Sequence, residues 1–249
     1  MRCHGRSTCQ RQEFDCTKRY ASVVQGRTFA EELPSNSHLT VVRYLGWLSI
    51  TAKCFNVGNY RRTDTPQPTA DFFDTNNKEG ERLRRAAAEA AVADMLKWFK
   101  GQNNLIAILD ATNSTKSRRR WIKDVCDAEG VETLFVESKC EDEDVIMSNI
   151  REVKTTSPDY EGQDPEQAAL DFRQRITMYE KVYETLDEDE ADMTYCKIID
   201  VGSQVIINRI HDYLQSRVVY YLMNLHIKPR SIWISRVRPP HQVLQITLN

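Results

Sequence analysis

The segment Asp110-Ala111-Thr112-Asn113-Ser114-Thr115 is the densest chemical pattern in the sequence, because its carboxylate ends the apolar run Leu105-Ile106-Ala107-Ile108-Leu109. A carboxylate at the end of a buried strand can hold magnesium through its water shell, or orient a hydroxyl nucleophile. The hydroxyls and the amide that follow can bind phosphate or sugar oxygens. The same string also has a plain reading, in which Asp110 caps a turn and Thr115 or Ser117 caps the next helix. Residue chemistry alone leans to this second reading.

Further cations flank this pattern. Arg118-Arg119-Arg120 opens the following helix, and Arg61-Arg62 follows a strand-like segment. Guanidinium groups grip phosphate through paired donors, although most basic runs are simply solvated. Arg175 and Tyr179 stand four residues apart, so a helix would put both on one face, either as a cradle for a sugar phosphate or as a surface pair. Lys154 closes a helix expected over 143–153, where it can complement the helix dipole. The five histidines form no catalytic constellation, and the seven cysteines show no metal-ligand spacing.

Strands alternating with helices must position these groups. Leu39, Val42, Leu45 and Leu48 have helical spacing, Ala52–Val57 reads as a strand stopped by Gly58, and residues 62–78 read as a loop. The Ala-rich stretch from Gly80 to Phe99 is a helix, and 105–109 is a strand apolar on both faces, as parallel sheets require. Helices are expected at 117–129, 165–183 and 211–226, strands at 133–136 and 195–201, and an acidic turn at 187–192. Tyr20–Val24 could form a strand, but a loosely ordered leader over 1–38 is favoured. The alternation predicts an α/β doubly wound, mostly parallel sheet, whose ligands sit beyond the carboxyl ends of the strands. Asp110, the Val136–Cys140 turn and Gly202 would lie on that side.

The balance of 34 basic against 36 acidic side chains argues against a nucleic-acid or membrane-surface partner. No apolar run is long enough to span a bilayer, and the first thirty residues hold no signal-like apolar core. Reduced cysteines in a cytoplasmic protein are the simplest reading.

The strings FNVGNYRR (55–62), DATNSTKSRRR (110–120), FVESKCEDEDVIMSNIREVKTTSPDY (135–160), DEDE (187–190), KIIDVG (197–202) and QSRVVYYLMNLHIKPRSIWI (215–234) occur in order. Together they resemble the kinase domain of the 6-phosphofructo-2-kinase/fructose-2,6-bisphosphatase family over residues 39–234. The resemblance implies a P-loop NTPase-like kinase domain over 39–230, between a divergent leader (1–38) and a divergent tail (231–249). It implies transfer of a phosphoryl group from ATP, with Mg2+, to the 2-hydroxyl of fructose 6-phosphate. It places Asp110 and Cys140 among the catalytic residues, and Arg61, Arg84, Thr112, Arg118, Lys154, Arg175 and Tyr179 around fructose 6-phosphate. Asn149, Ile150, Arg151, Glu152, Val153 and Lys154 match the nucleotide-binding stretch. A homodimer, or a heterodimer with a full-length member, is also implied, since the family is dimeric.

The family's strand and Gly-rich loop ending in Gly-Lys-Thr should precede the helix beginning near Leu39. There the sequence reads FAEELPSNSH (29–38), without glycine or lysine, so the P-loop strand is expected to be replaced or lost. Val23-Val24-Gln25-Gly26-Arg27-Thr28 imitates it poorly. Impaired ATP turnover is therefore expected, with a noncatalytic sugar-phosphate-binding or dimerising protein as the alternative. The resemblance stops after Ile234, before the family's Arg-His-Gly motif, so no phosphatase activity is expected.

Overall fold

The computed structural model describes residues 19–26, 37–64, 69–142, 146–147, 150, 158–160 and 162–224. Six strands form one sheet in the order β2-β3-β1-β4-β5-β6. They are β1 (Arg19–Gly26), β2 (Ala52–Asn56), β3 (Ile106–Asp110), β4 (Val131–Lys139), β5 (Tyr195–Ile199) and β6 (Gln204–Asn208). All neighbouring pairs are parallel except β5–β6. The expected doubly wound α/β class is thus the observed one.

The helices are α1 (Ser37–Trp47), α2 (Val57–Asp64), α3 (Lys78–Phe99), α4 (Lys116–Ala128), α5 (Pro165–Glu180) and α6 (Tyr213–Met223). Their starts follow local chemistry. The Asn77 side chain accepts from Gly80 N, Thr115 from Arg118 N, Asp164 from Glu166 N and Gln167 N, and Asp212 from Leu214 N. Each satisfies a backbone donor that the first helical turn leaves open.

Alternation along the buried strands sorts the core into two layers. Ala107 and Leu109 of β3 face α3 and α4, packing with Ala91, Met95, Phe99, Ile122 and Cys126. Ile106 and Ile108 face the other way, onto Val41 and Leu45 of α1 and Leu214, Val218 and Leu222 of α6. Successive side chains point to opposite faces of a strand, so a continuous apolar run fills both layers. A smaller cluster lies under α5, around Ile150, Tyr160, Phe172 and Ile176.

Three expectations change. Residues 19–26, read as part of a loose leader, form the central strand: Val24 pairs with Asp110 on one side and with Val136 on the other. Without that strand, the apolar β3 and β4 would leave inward backbone groups unpaired. Gly58 does not stop the second strand but lies inside α2, where a Cβ would stand 2.8 Å from Asn56 Oδ1. A sixth strand follows Gly202, at the sheet edge, where Ile206 and Ile207 stay partly exposed and no buried alternation marks it. The helix expected over 143–153 lies largely outside the described residues. No helix among the described residues is long and apolar enough to cross a membrane.

Candidate functional site

The helix after β1 covers one face of the sheet and the helix after β3 the other, so the chain opens a crevice where the carboxyl ends of β1 and β3 lie side by side. A cavity of about 700 Å³ occupies that edge. Asn56, Asp110 and Ser138 form its floor, from the ends of β2, β3 and β4. Six arginines (61, 62, 84, 85, 118 and 175) line it, against three carboxylates (Glu81, Asp110 and Asp159). The excess of guanidinium marks a site for an anion.

Asp110 ends β3 in register with Asn56 of β2, and Asn56 Nδ2 donates to its Oδ2. The loop after it is held from below. Asn113 is buried in the left-handed region at φ 40°, a conformation asparagine tolerates better than most residues. Its carbonyl accepts from Arg119 Nη1 at 3.3 Å, and the Ser114 carbonyl accepts from Glu184 N at 2.8 Å. Thr112 shares a hydrogen bond with Tyr179. Burial pushes the Tyr179 phenol up, and the Arg84, Arg61 and Arg175 charges partly draw it back.

The arginine triplet divides three ways because successive helical residues turn by about 100°. Arg118 lines the cavity, with its guanidinium 4.9 Å from the centre of the Trp121 ring. Arg119 is fully buried and grips Glu190 with two nitrogens, while its Nη1 also donates to the Glu184 carbonyl at 2.8 Å. Arg120 points outward to Asp192. The acidic turn therefore anchors α4, with Lys116 Nζ on Asp187 and Asp189 at 2.9 and 2.7 Å.

A clamp closes the far wall. Arg61 Nη2 donates to both oxygens of Asp159 at 2.8 Å, Arg62 Nε to Oδ1 at 2.7 Å, and Arg175 Nη1 to Oδ2 at 3.1 Å. Arg175 also donates to Asp171 at 2.8 Å, with its guanidinium 4.7 Å from the ring centres of both Phe73 and Tyr160. Burial pushes the Asp159 carboxyl up, but the Arg62 hydrogen bond and the Arg61 and Arg62 charges outweigh it and hold it below its ordinary value. Burial lowers the Arg61 guanidinium pKa despite Asp159. Arg61 Nη1 is buried and has no hydrogen-bond partner among the described residues.

Arg61, Arg84, Asp110, Thr112, Arg118, Arg175 and Tyr179, read from sequence, all line this one cavity. Cys140 does not. It is buried beyond the end of β4, and its Sγ lies 3.8 Å from the Asp142 carbonyl. Ile150 packs in the cluster under α5. Asn149, Arg151, Glu152, Val153 and Lys154 lie outside the described residues. Arg62, read with Arg61 as a possible phosphate grip, also lines the cavity; sequence reasoning missed Asn56 and Asp159, although each sits in a string already singled out, because a carboxylate two residues from Ser157 carried no local sign of three arginine partners.

P-loop proteins hold a magnesium-bound triphosphate in a cage of backbone amides, with a lysine, between the strand and the helix that follows it. The connecting residues 27–36, Arg-Thr-Phe-Ala-Glu-Glu-Leu-Pro-Ser-Asn, include neither glycine nor lysine. No cluster of His, Cys, Asp and Glu among the described residues could hold a metal.

The pattern of the family described as 6-phosphofructo-2-kinase matches residues 35–229. The chain is 44% identical over 199 residues to the fructose-2,6-bisphosphatase of Saccharomyces cerevisiae, covering 79% of this chain and 44% of that one. It is 44% identical over 198 residues to human 6-phosphofructo-2-kinase/fructose-2,6-bisphosphatase 4, covering 79% and 42%. The chain thus spans less than half the length of these relatives. Among solved structures, the Mycobacterium tuberculosis APS kinase CysC in complex with AMPPNP and APS aligns over 84% of this chain and 97% of its own, at 10% identity and a TM-score of 0.47.

Proposed function

The chain belongs to the 6-phosphofructo-2-kinase family, and on that premise we propose that its cavity binds fructose 6-phosphate while phosphoryl transfer from ATP is impaired. The observation that carries this reading is the convergence of Arg61, Arg84, Thr112, Arg118, Arg175 and Tyr179, from α2, α3, the β3–α4 loop, α4 and α5, on one cavity. The arginines hold the sugar's phosphate through charge-assisted bonds, and Thr112 and Tyr179 meet sugar hydroxyls. Asp110, oriented by Asn56, faces the hydroxyl that would be phosphorylated and can take up its proton. Positioning and charge neutralisation make up most of catalysis in such transfers, and this half of the apparatus is present. ATP supplies the phosphoryl group in the family's reaction; the β1–α1 connection has neither the glycine nor the lysine with which P-loop kinases grip its triphosphate.

Titration calorimetry with fructose 6-phosphate tests the reading. The wild-type chain binds with measurable heat, and Arg175→Ala abolishes it; no heat from a cooperatively folded wild type refutes the function. A coupled assay under saturating magnesium-ATP tests the second half. Turnover at the rate of a complete family member run beside it would refute impairment.

A second reading follows from the same missing glycine and lysine: a noncatalytic regulator that binds the sugar phosphate and pairs with a second copy or with a full-length relative in the cytoplasm. Cys54, Cys126, Cys140 and Cys196 are free thiols, in keeping with a reducing compartment. Co-purification with a complete family member distinguishes this reading from a solitary kinase.

A further inference from the structure

We propose that Asp159 is the specificity-determining positioning residue of this cavity, a built-in anion that makes the site select a sugar phosphate over free phosphate. The inference rests on the fructose 6-phosphate reading above. The carboxylate lines the cavity and accepts from all three arginines of the clamp. Those arginines come from α2 and α5, and the carboxylate sits on the short turn Pro158–Tyr160, so Asp159 joins two walls of the site.

Its effect is first geometric. By occupying the Nη2 edge of Arg61 it fixes the plane of that guanidinium and leaves Nη1 buried without a partner among the described residues. A buried donor in that state is poised for one more acceptor, such as a phosphate oxygen. Arg175 is fixed likewise, by Asp159, by Asp171 and between the rings of Phe73 and Tyr160. The donors that remain are therefore preset before any ligand arrives.

Its second effect is on charge. Asp159 meets the positive charges of Arg61, Arg62 and Arg175, and Asp171 that of Arg175. Asp159 thus offsets part of the positive charge of the clamp, which weakens the hold on a small anion that makes no other contacts. A ligand that also meets Thr112, Tyr179 and Arg118 gains from the preset geometry; free phosphate does not. Asparagine at 159 would offer one acceptor oxygen, turn an amide against guanidinium donors, and remove the negative charge that the three arginines share. Burial is the main cause of the lowered Arg61 pKa, and repulsion from Arg62 and Arg175 adds to it; without the carboxylate that repulsion would spread the three arginines apart.

The test is calorimetry on the full chain, wild type and Asp159→Asn, with fructose 6-phosphate and with inorganic phosphate at low salt. The expected result is a Kd for the sugar phosphate raised at least tenfold, with inorganic phosphate bound at least as tightly as by wild type. Equal shifts for both ligands, or no shift for either, overturn the proposal, because a merely structural role moves both together. If Asp159→Asn shows no cooperative melting, the charge-balanced Asp159→Asn/Arg62→Gln chain is measured instead. There inorganic phosphate returns to wild-type affinity while sugar-phosphate affinity stays low, and recovery of both overturns the geometric role. A wild type that binds no fructose 6-phosphate refutes the function and this inference with it; a wild type that binds normally but shows equal shifts refutes the inference alone.

Discussion

Replacing Arg119 by Met should destabilise the protein more than any change on its surface. The guanidinium is fully buried, bonds twice to Glu190, and donates to the carbonyls of Glu184 and Asn113. Removing one partner of a buried ion pair typically costs about 3–5 kcal/mol, because the other charge stays behind in low dielectric. Glu190 is 2% exposed and would be that stranded charge. A loss of about 4 kcal/mol corresponds to about 8–16 °C in Tm for a chain of this size. Glu190→Leu should cost somewhat less, about 3 kcal/mol, because Arg119 keeps two carbonyl acceptors. The double variant Arg119→Met/Glu190→Leu strands no charge and should lose only about 1–2 kcal/mol, for carbonyls deprived of a donor. Urea unfolding of all four proteins closes the cycle. A coupling of about 3 kcal/mol or more is expected for residues in direct contact. A coupling below about 1 kcal/mol, or single variants that melt with wild type, would refute the claim that this pair holds the Asp110–Thr115 loop against α4. The double variant should also bind fructose 6-phosphate more weakly, since Asn113 then loses its anchor.

Three further outcomes can be checked with the same methods. A Cβ at Gly80 would collide with the Phe72 carbonyl, which also accepts from Arg84, so Gly80→Ala should lose about 1–2 kcal/mol in urea unfolding even though alanine favours helix. Arg118→Lys keeps the charge but loses the planar fork and the stacking on Trp121, and should weaken fructose 6-phosphate about tenfold by calorimetry with little change in Tm. The Asp159 carboxyl is held below its ordinary value of 3.8, so the stability it contributes is present above about pH 3.8 and is lost as pH falls through its lower folded value. Urea midpoints from pH 7 to pH 2.5 should show wild type losing stability across that acid window, and the gap between wild type and Asp159→Asn narrowing there.

Much of the site could be read before the fold. Asp110 ends a run apolar at every position, and such a run belongs to a strand covered on both faces, so its last residue must emerge at the carboxyl edge. Thr115 precedes a helix and caps it. Arg175 and Tyr179 share a helix face through their spacing alone. These are local consequences of backbone geometry. The string of motifs from Phe55 to Ile234 carries the family resemblance by itself.

Other features depended on partners distant in sequence. Arg19–Gly26 resembled a leader because a short strand with charged and polar ends has no helical or alternating signature; only pairing with β3 and β4 makes it the centre of the sheet. β6 was missed because an edge strand need not bury either face. Three consecutive arginines looked alike, yet one faces the cavity, one is locked in the interior and one lies outside. Nothing local to Asp159 showed that three guanidiniums would close on it. Residue types and spacing along the chain therefore determined which groups could do chemistry and what secondary structure would carry them. Which charges meet, and which are left to meet a ligand, was decided only by tertiary packing, because Coulomb and hydrogen-bond energies depend on distance in space and not on separation along the chain.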